Sequence, residues 1–227
     1  MSNLAVRQPV FLSWSGGKDS ALALSALSRD PRFKVVGLLT SITRGYDRVS
    51  VHGVRRAMLE AQVKRLGLPL SEIALEQNCT NEAYEAAFHE ALGRISSDWP
   101  EVSHIAFGDL FLGDVRAYRE RLLEGTGFDP LFPIWGMDTA ELARSFIAEG
   151  FAARVVCVDT TQLDPAFAGR AFDAQLLADL PPSVDPCGER GEFHTFVSDG
   201  PQFSEPVSYN VGERVLRDDR FMYCDIE

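Results

Sequence analysis

The sequence predicts an α/β protein: a parallel twisted sheet flanked by helices, followed by a smaller α+β domain at the carboxyl end. Three observations carry that prediction. Apolar, β-branched runs alternate with segments of helical spacing through residue 124; the first run leads straight into a glycine pair that opens a helix; and beyond residue 158 the alternation decays into loops with Pro181 and Pro182 side by side. Alternating β and α elements imply parallel strands joined by right-handed crossovers, with ligands held at the carboxyl ends of the strands.

Each element has its own signal. Residues 10–12 (Val, Phe, Leu) read as a buried strand, 15–20 as a turn and the Ala/Leu-rich 21–27 as a helix. Residues 33–40 are apolar and β-branched enough for a second buried strand, and 54–66 carries Val54, Met58, Ala61 and Leu66 at helical spacing before Gly67. A third strand is expected at 69–75. An amphipathic helix follows at 80–95, with Tyr84, Ala87, Phe88, Ala91 and Leu92 on one side, and a fourth strand at 102–107 ends in Gly108 and Asp109. Residues 116–124 read as a helix, and 132–136 end a short extended run. Asp138 and Glu141 are spaced as a capping box for a helix that runs to Gly150. A strand at 155–158 and short antiparallel strands at 207–211 and 221–224 complete the chain, with a domain boundary at Trp135 dividing 1–135 from 136–227.

A chain of 227 residues suits a main domain with an appendage. Its 33 acidic and 22 basic side chains leave a net charge of −11, which works against a nucleic-acid backbone as partner. Cys79, Cys157, Cys187 and Cys224 lie far apart with no C-x-x-C pair, so neither a zinc site nor a redox dithiol is indicated. Reduced thiols, no secretory apolar core and no run of membrane-spanning length make the expected setting cytoplasmic, with no membrane partner.

The most informative segment is Ser15-Gly16-Gly17-Lys18-Asp19-Ser20. Two glycines let the backbone bring several N–H groups to one ligand, and the helix behind points its positive end at the same spot, so an anion belongs there. It is not a Walker loop, because Leu12 and Asp19 stand where that loop needs a glycine and a hydroxyl residue. It resembles instead the pyrophosphate (PP) loop of the N-type ATP pyrophosphatases, which cut ATP between its α and β phosphates. That resemblance implies an adenine nucleotide alpha hydrolase-like, Rossmann-like fold that binds ATP.

A second constellation is Asp185-Pro186-Cys187-Gly188-Glu189-Arg190-Gly191-Glu192-Phe193-His194-Thr195, two of whose carboxylates sit with an imidazole in a tight glycine-bearing stretch. Core segments are not built this way. With the PP loop, this stretch, Asp199-Gly200-Pro201, His52-Gly53, Gly108 with Arg116, 133–136, Leu163-Asp164 and Gly169-Arg170, the chain resembles the diphthine:ammonia ligase family and its bacterial relatives over most of its length. The resemblance implies a PP-loop ATP-binding domain at 1–135 and a smaller substrate-binding domain at 136–227. It further implies a carboxylate adenylated by ATP and captured by ammonia as an amide. Clearly assigned members act on a modified histidine of an elongation factor in archaea and eukaryotes. The pattern Gly108-Asp109-Leu110 with Cys187-Gly188-Glu189 looks more like the bacterial branch, so the reaction type can transfer without that substrate.

On this reading the nucleotide-binding residues are Ser15, Gly16, Gly17, Lys18, Asp19, Ser20, Thr40, His52 and Gly108, with Lys18 stabilising the departing phosphates. Asp19 is either a magnesium ligand or a cap of the following helix; Asp109 is either a second magnesium ligand or a turn former. Glu189 and Glu192 either bind and deprotonate ammonium or are solvated loop carboxylates, and His194 contacts the ligand or bonds within the loop. Cys187 is a nucleophile or an inert small hydrophobe. Arg116 and Arg170 are anion clamps or exposed helix arginines, and Trp135 is a lid or an interface anchor. The expected partners are ATP, magnesium, a small-molecule or protein carboxylate and ammonia, with a homodimer left open. A nucleotide sensor without turnover and an RNA-modifying PP-loop enzyme are the alternative functions.

Overall fold

The computed structural model describes residues 6–45, 48–49 and 53–227. In chain order the elements are β1 (Gln8–Ser13), α1 (Lys18–Arg29), β2 (Phe33–Thr43), a two-residue β3 (Arg48–Val49), α2 (Arg56–Leu66), β4 (Leu70–Leu75), α3 (Asn81–Asp98), β5 (His104–Ala106), α4 (Gly113–Leu123), β6 (Asp129–Leu131), α5 (Thr139–Ala148), β7 (Ala152–Asp159), α6 (Ala174–Asp179), β8 (Phe193–Asp199), β9 (Val211–Arg217) and β10 (Phe221–Ile226).

The first sheet is parallel apart from β3. β2, β1, β5 and β6 are neighbours in that order, β4 pairs with the far half of β2, and β3 pairs antiparallel with the last residues of β2. The chain therefore works outward from β1 through β2 to β4, then returns to place β5 on the other side of β1. That reversal leaves a crevice beyond the carboxyl ends of β1 and β5, where open α/β sheets bind their ligands.

Side chains of β1 alternate as a strand's two-residue period requires: Val10 and Leu12 enter one core, Phe11 the other. The Phe11 core is closed by Phe88, Leu92 and Ile95 of α3 and Leu122 of α4. The opposite core continues through α1 into the second sheet, where Phe146, Val155, Phe193 and Phe196 belong to it. Helix α1 is buried on most of its circumference, and its small residues Ser20, Ala21, Ala23 and Ser25 let structure approach from both sides.

The second sheet is antiparallel, in the order β8-β7-β10-β9. Here two expectations are corrected. Residues 193–199 are a strand, β8, whereas Pro186 and two glycines lead the sequence to be read as one tight loop through Thr195; and residues 207–210 lie outside any strand, β9 starting only at Val211. Among the described residues no helix is long and apolar enough to cross a membrane.

Candidate active site

Between β1 and α1 the chain turns through Trp14, Ser15, Gly16 and Gly17. Gly16 has φ +78, and a Cβ there would lie 2.6 Å from Gln62 Oε1, so backbone shape and available room both require glycine. Gln62, fully buried on α2, accepts from Trp14 Nε1 at 3.1 Å and donates through Nε2 to the carbonyls of Gly16 at 2.9 Å and Val197 at 2.6 Å. β8 braces the same turn: Val197 N donates to Gly16 O at 2.9 Å, and Thr195 Oγ1 accepts from Lys18 N at 3.0 Å. The Thr40 hydroxyl donates to the Trp14 carbonyl. Within the turn, Gly17 N donates to Ser15 Oγ at 3.3 Å and Ser20 Oγ to Gly17 O at 2.8 Å. Gly17 caps α1 without a side chain, so no side-chain acceptor from the cap covers the helix's positive end.

Lys18 is only 2% exposed. Its Nζ donates to both Asp19 oxygens at 2.9 Å and lies 5.5 Å from the Phe193 ring centre. Burial, the largest influence, pulls its pKa down, but Asp19, Cys187 and Glu189 together outweigh it and the net shift is upward, so the lysine keeps its charge. Gly108, after β5, packs on this first turn so closely that a Cβ would lie 2.9 Å from the Asp19 carbonyl.

The 185–192 loop is wound around two inward carboxylates. Asp185 accepts from Cys187 N at 2.9 Å, Glu189 N at 3.3 Å and the Thr139 hydroxyl at 2.7 Å. Glu192, 1% exposed, accepts from Asp185 N and Arg190 N, each at 2.9 Å. Gly188, at φ +66, could not carry a Cβ, which would sit 2.7 Å from Phe193 O. Glu189 projects outward instead. Its Oε1 accepts from Leu110 N at 2.7 Å and Phe111 N at 3.4 Å, joining this loop to the one that follows β5.

The crevice thus gathers Lys18, Asp19, Asp109 and Glu189. Burial raises the pKa values of Asp19 and Asp109, with Asp185 pushing on Asp19 and Asp19 on Asp109, against the opposing pull of Lys18 and Arg119. Burial likewise lifts Glu189 to about 7, with the Asp19 and Asp109 charges adding to it. Burial and mutual repulsion thus outweigh the pull of Lys18 on Asp19 and of Arg119 on Asp109. Among the described residues no group of three His, Cys, Asp or Glu side chains is arranged to hold a metal ion. Magnesium, however, commonly takes one or two carboxylates with phosphate oxygens and water. The buried Asp109 Oδ2 has no hydrogen-bond partner, and the nearest cation, Arg119 Nε, lies 3.6 Å away. Asp19 and Asp109 therefore fit a magnesium brought in with a nucleotide.

Other anticipated residues fall elsewhere. Glu192 is committed to holding its loop, and His194, next to Phe193 and Thr195 on β8, points to the opposite face of that strand from the Lys18 turn. Thr40 supports the turn from below through Trp14. His52 lies outside the described residues. Cys187 donates to Thr139 O at 3.3 Å, and burial pushes its thiol up to about 12, which makes it a packing residue. Arg116 lies between Phe132 and Trp135, 4.8 and 4.9 Å from their ring centres, and Arg170 pairs with Asp179 at 2.6 Å.

Comparison with known proteins decides the family. The model of the diphthamide synthase N-terminal domain matches residues 9–130, and that of the diphthamide synthase C-terminal domain matches 138–227. The chain belongs to the diphthamide synthase family. Relatives include the diphthine–ammonia ligases of Homo sapiens, 28% identical over 121 residues, and of Rattus norvegicus, 26% identical over 125. Each alignment covers 51% of this chain and 45% of the relative, so the chain spans about half the length of the curated proteins it matches.

For this diphthamide synthase family member, sequence reasoning gave no role to Gln62, Thr139 or Arg119, nor to Asp185, which stands at the head of the second constellation. Thr195 was quoted within its motif and given no role. The one available signal was a buried-face polar residue: Gln62 falls beside Met58 and Ala61 on the helical pattern, where a core residue is the rule.

Proposed function

We propose that this chain is an ATP-dependent, amide-forming ligase that adenylates a substrate carboxylate, releases pyrophosphate and passes the acyl group to ammonia with loss of AMP. The observation that supports it most is Glu189. A carboxylate with a pKa near 7 spans from the 185–192 loop to the Leu110 and Phe111 amides, beside the Lys18 turn at the mouth of the crevice.

The substrate carboxylate attacks the α phosphorus, and negative charge builds on the departing pyrophosphate. Lys18 and the amino end of α1 face that charge; to do so Lys18 exchanges Asp19 for a phosphate oxygen. Asp19, once released, and Asp109 would hold a magnesium ion, which would supply charge neutralisation at the phosphates. Glu189, ionised above pH 7 or so, takes a proton from ammonium, because only neutral ammonia can attack the acyl carbon. The new C–N bond forms as the acyl–oxygen bond to AMP breaks, giving the amide. Asp185 and Glu192 hold Glu189 in place.

The test is to incubate purified protein with ATP, magnesium, ammonium and a panel of carboxylic acids. AMP and pyrophosphate in equal amounts, dependent on one acid, are expected. ADP and phosphate would overturn the reading, and ATP binding without turnover across a panel that includes the protein substrate of the relatives would leave the sensor.

A further inference from the structure

β9 is the outer strand of the second sheet: it pairs with β10 on one side only. Most of its side chains are exposed, and two of the four exposed large apolar residues among those described, Val211 and Leu216, lie on it. Glu213 and Arg217 take part in no ion pair among the described residues. An open, partly apolar edge is a template for another strand.

Self-pairing restricts the register. Two antiparallel copies of one strand are related by a twofold axis perpendicular to the sheet, so residues equally spaced before and after the axial residue face each other on the same side. An axis at Glu213 or at Arg214 sets like charges directly opposite. An axis at Leu216 leaves Glu213 and Arg214 without strand partners, since the positions opposite them, Asp219 and Asp218, lie in the turn beyond the end of β9. An axis at Val215 instead joins valine to valine, places Glu213 opposite Arg217 twice over, and brings the two Leu216 side chains into diagonal contact on the other face.

We propose that β9 pairs antiparallel with β9 of a second copy about an axis through Val215, making one continuous eight-stranded sheet from two four-stranded ones. The sheet edge is thereby closed, and charge pairing selects the partner as a second copy of this chain.

The experiment is sedimentation equilibrium of the full chain and two charge variants, with oxidative cross-linking of two cysteine variants, each variant checked for native circular dichroism. The wild type is expected to dimerise. Glu213→Arg, which sets arginine against arginine, is expected to raise the dimer dissociation constant by about tenfold or more, and adding Arg217→Glu to restore it. Val215→Cys is expected to cross-link on mild oxidation, since facing Cα atoms about 4.5–5.5 Å apart suit a disulfide, whereas Val211→Cys is not. A monomeric wild type, a dimer indifferent to Glu213→Arg, or failure of the charge-swapped pair to recover would each overturn the proposal.

Discussion

At the level of single residues, Glu189 and Glu192 are the instructive pair. They look alike in sequence, three residues apart among glycines, yet one spans the crevice and the other is sealed beneath the loop. Their substitutions should therefore fail in different ways. Glu189→Gln should leave the melting temperature within a few degrees of wild type while lowering kcat about 100-fold or more. The wild-type rate should climb with pH through a midpoint near 7, as the carboxylate loses its proton, and the variant should lose that limb. Glu192→Gln should instead cost about 1–3 kcal/mol of stability, because it weakens acceptors for two buried amides; chemical denaturation measures it. The Lys18 turn was legible because all its parts are consecutive. The division of labour between the two glutamates was not, since only the folded loop decides which carboxylate faces inward.

Among elements, the braced turn matters most. Its shape depends on α2, β2 and β8 together, and Gln62 is the side chain that binds Trp14, Gly16 and Val197 into one unit. Replacing Gln62 with Leu would strip partners from the indole N–H and weaken those of two carbonyls, a loss of about 1–3 kcal/mol. Calorimetry should also show weaker ATP binding, whereas a mutation of equal stability cost in the Phe88 cluster should leave binding unchanged. Gly16→Ala should be worse for binding than Gly17→Ala, because only Gly16 combines a positive φ with an occupied Cβ position. The parallel strands were readable from their apolar runs. β8 was not: His194, Thr195 and Ser198 give it a polar look, and its alternation makes sense only once Thr195 and Phe193 are seen to face Lys18.

For the whole molecule, the shared core is decisive. One apolar cluster runs from β1 through α1 to β7 and β8, so the two sheets should unfold together. Urea titrations followed by far-ultraviolet dichroism and by tryptophan fluorescence, with Trp14 buried near the join, should give coincident curves; separated transitions would count against a common core. The fold class was visible in the sequence because strand and helix periods are local properties, while the sharing of one core between two sheets is a matter of distant pairings. Those pairings have a consequence for biosynthesis. The amide of Lys18 waits for a hydroxyl 177 positions further along, and Gly16 waits for Val197. A ribosome thus delivers the glycine turn well before its supporting strand. A polypeptide released prematurely, with everything through residue 180 intact, would carry the complete PP-loop motif and still lack the brace that shapes it.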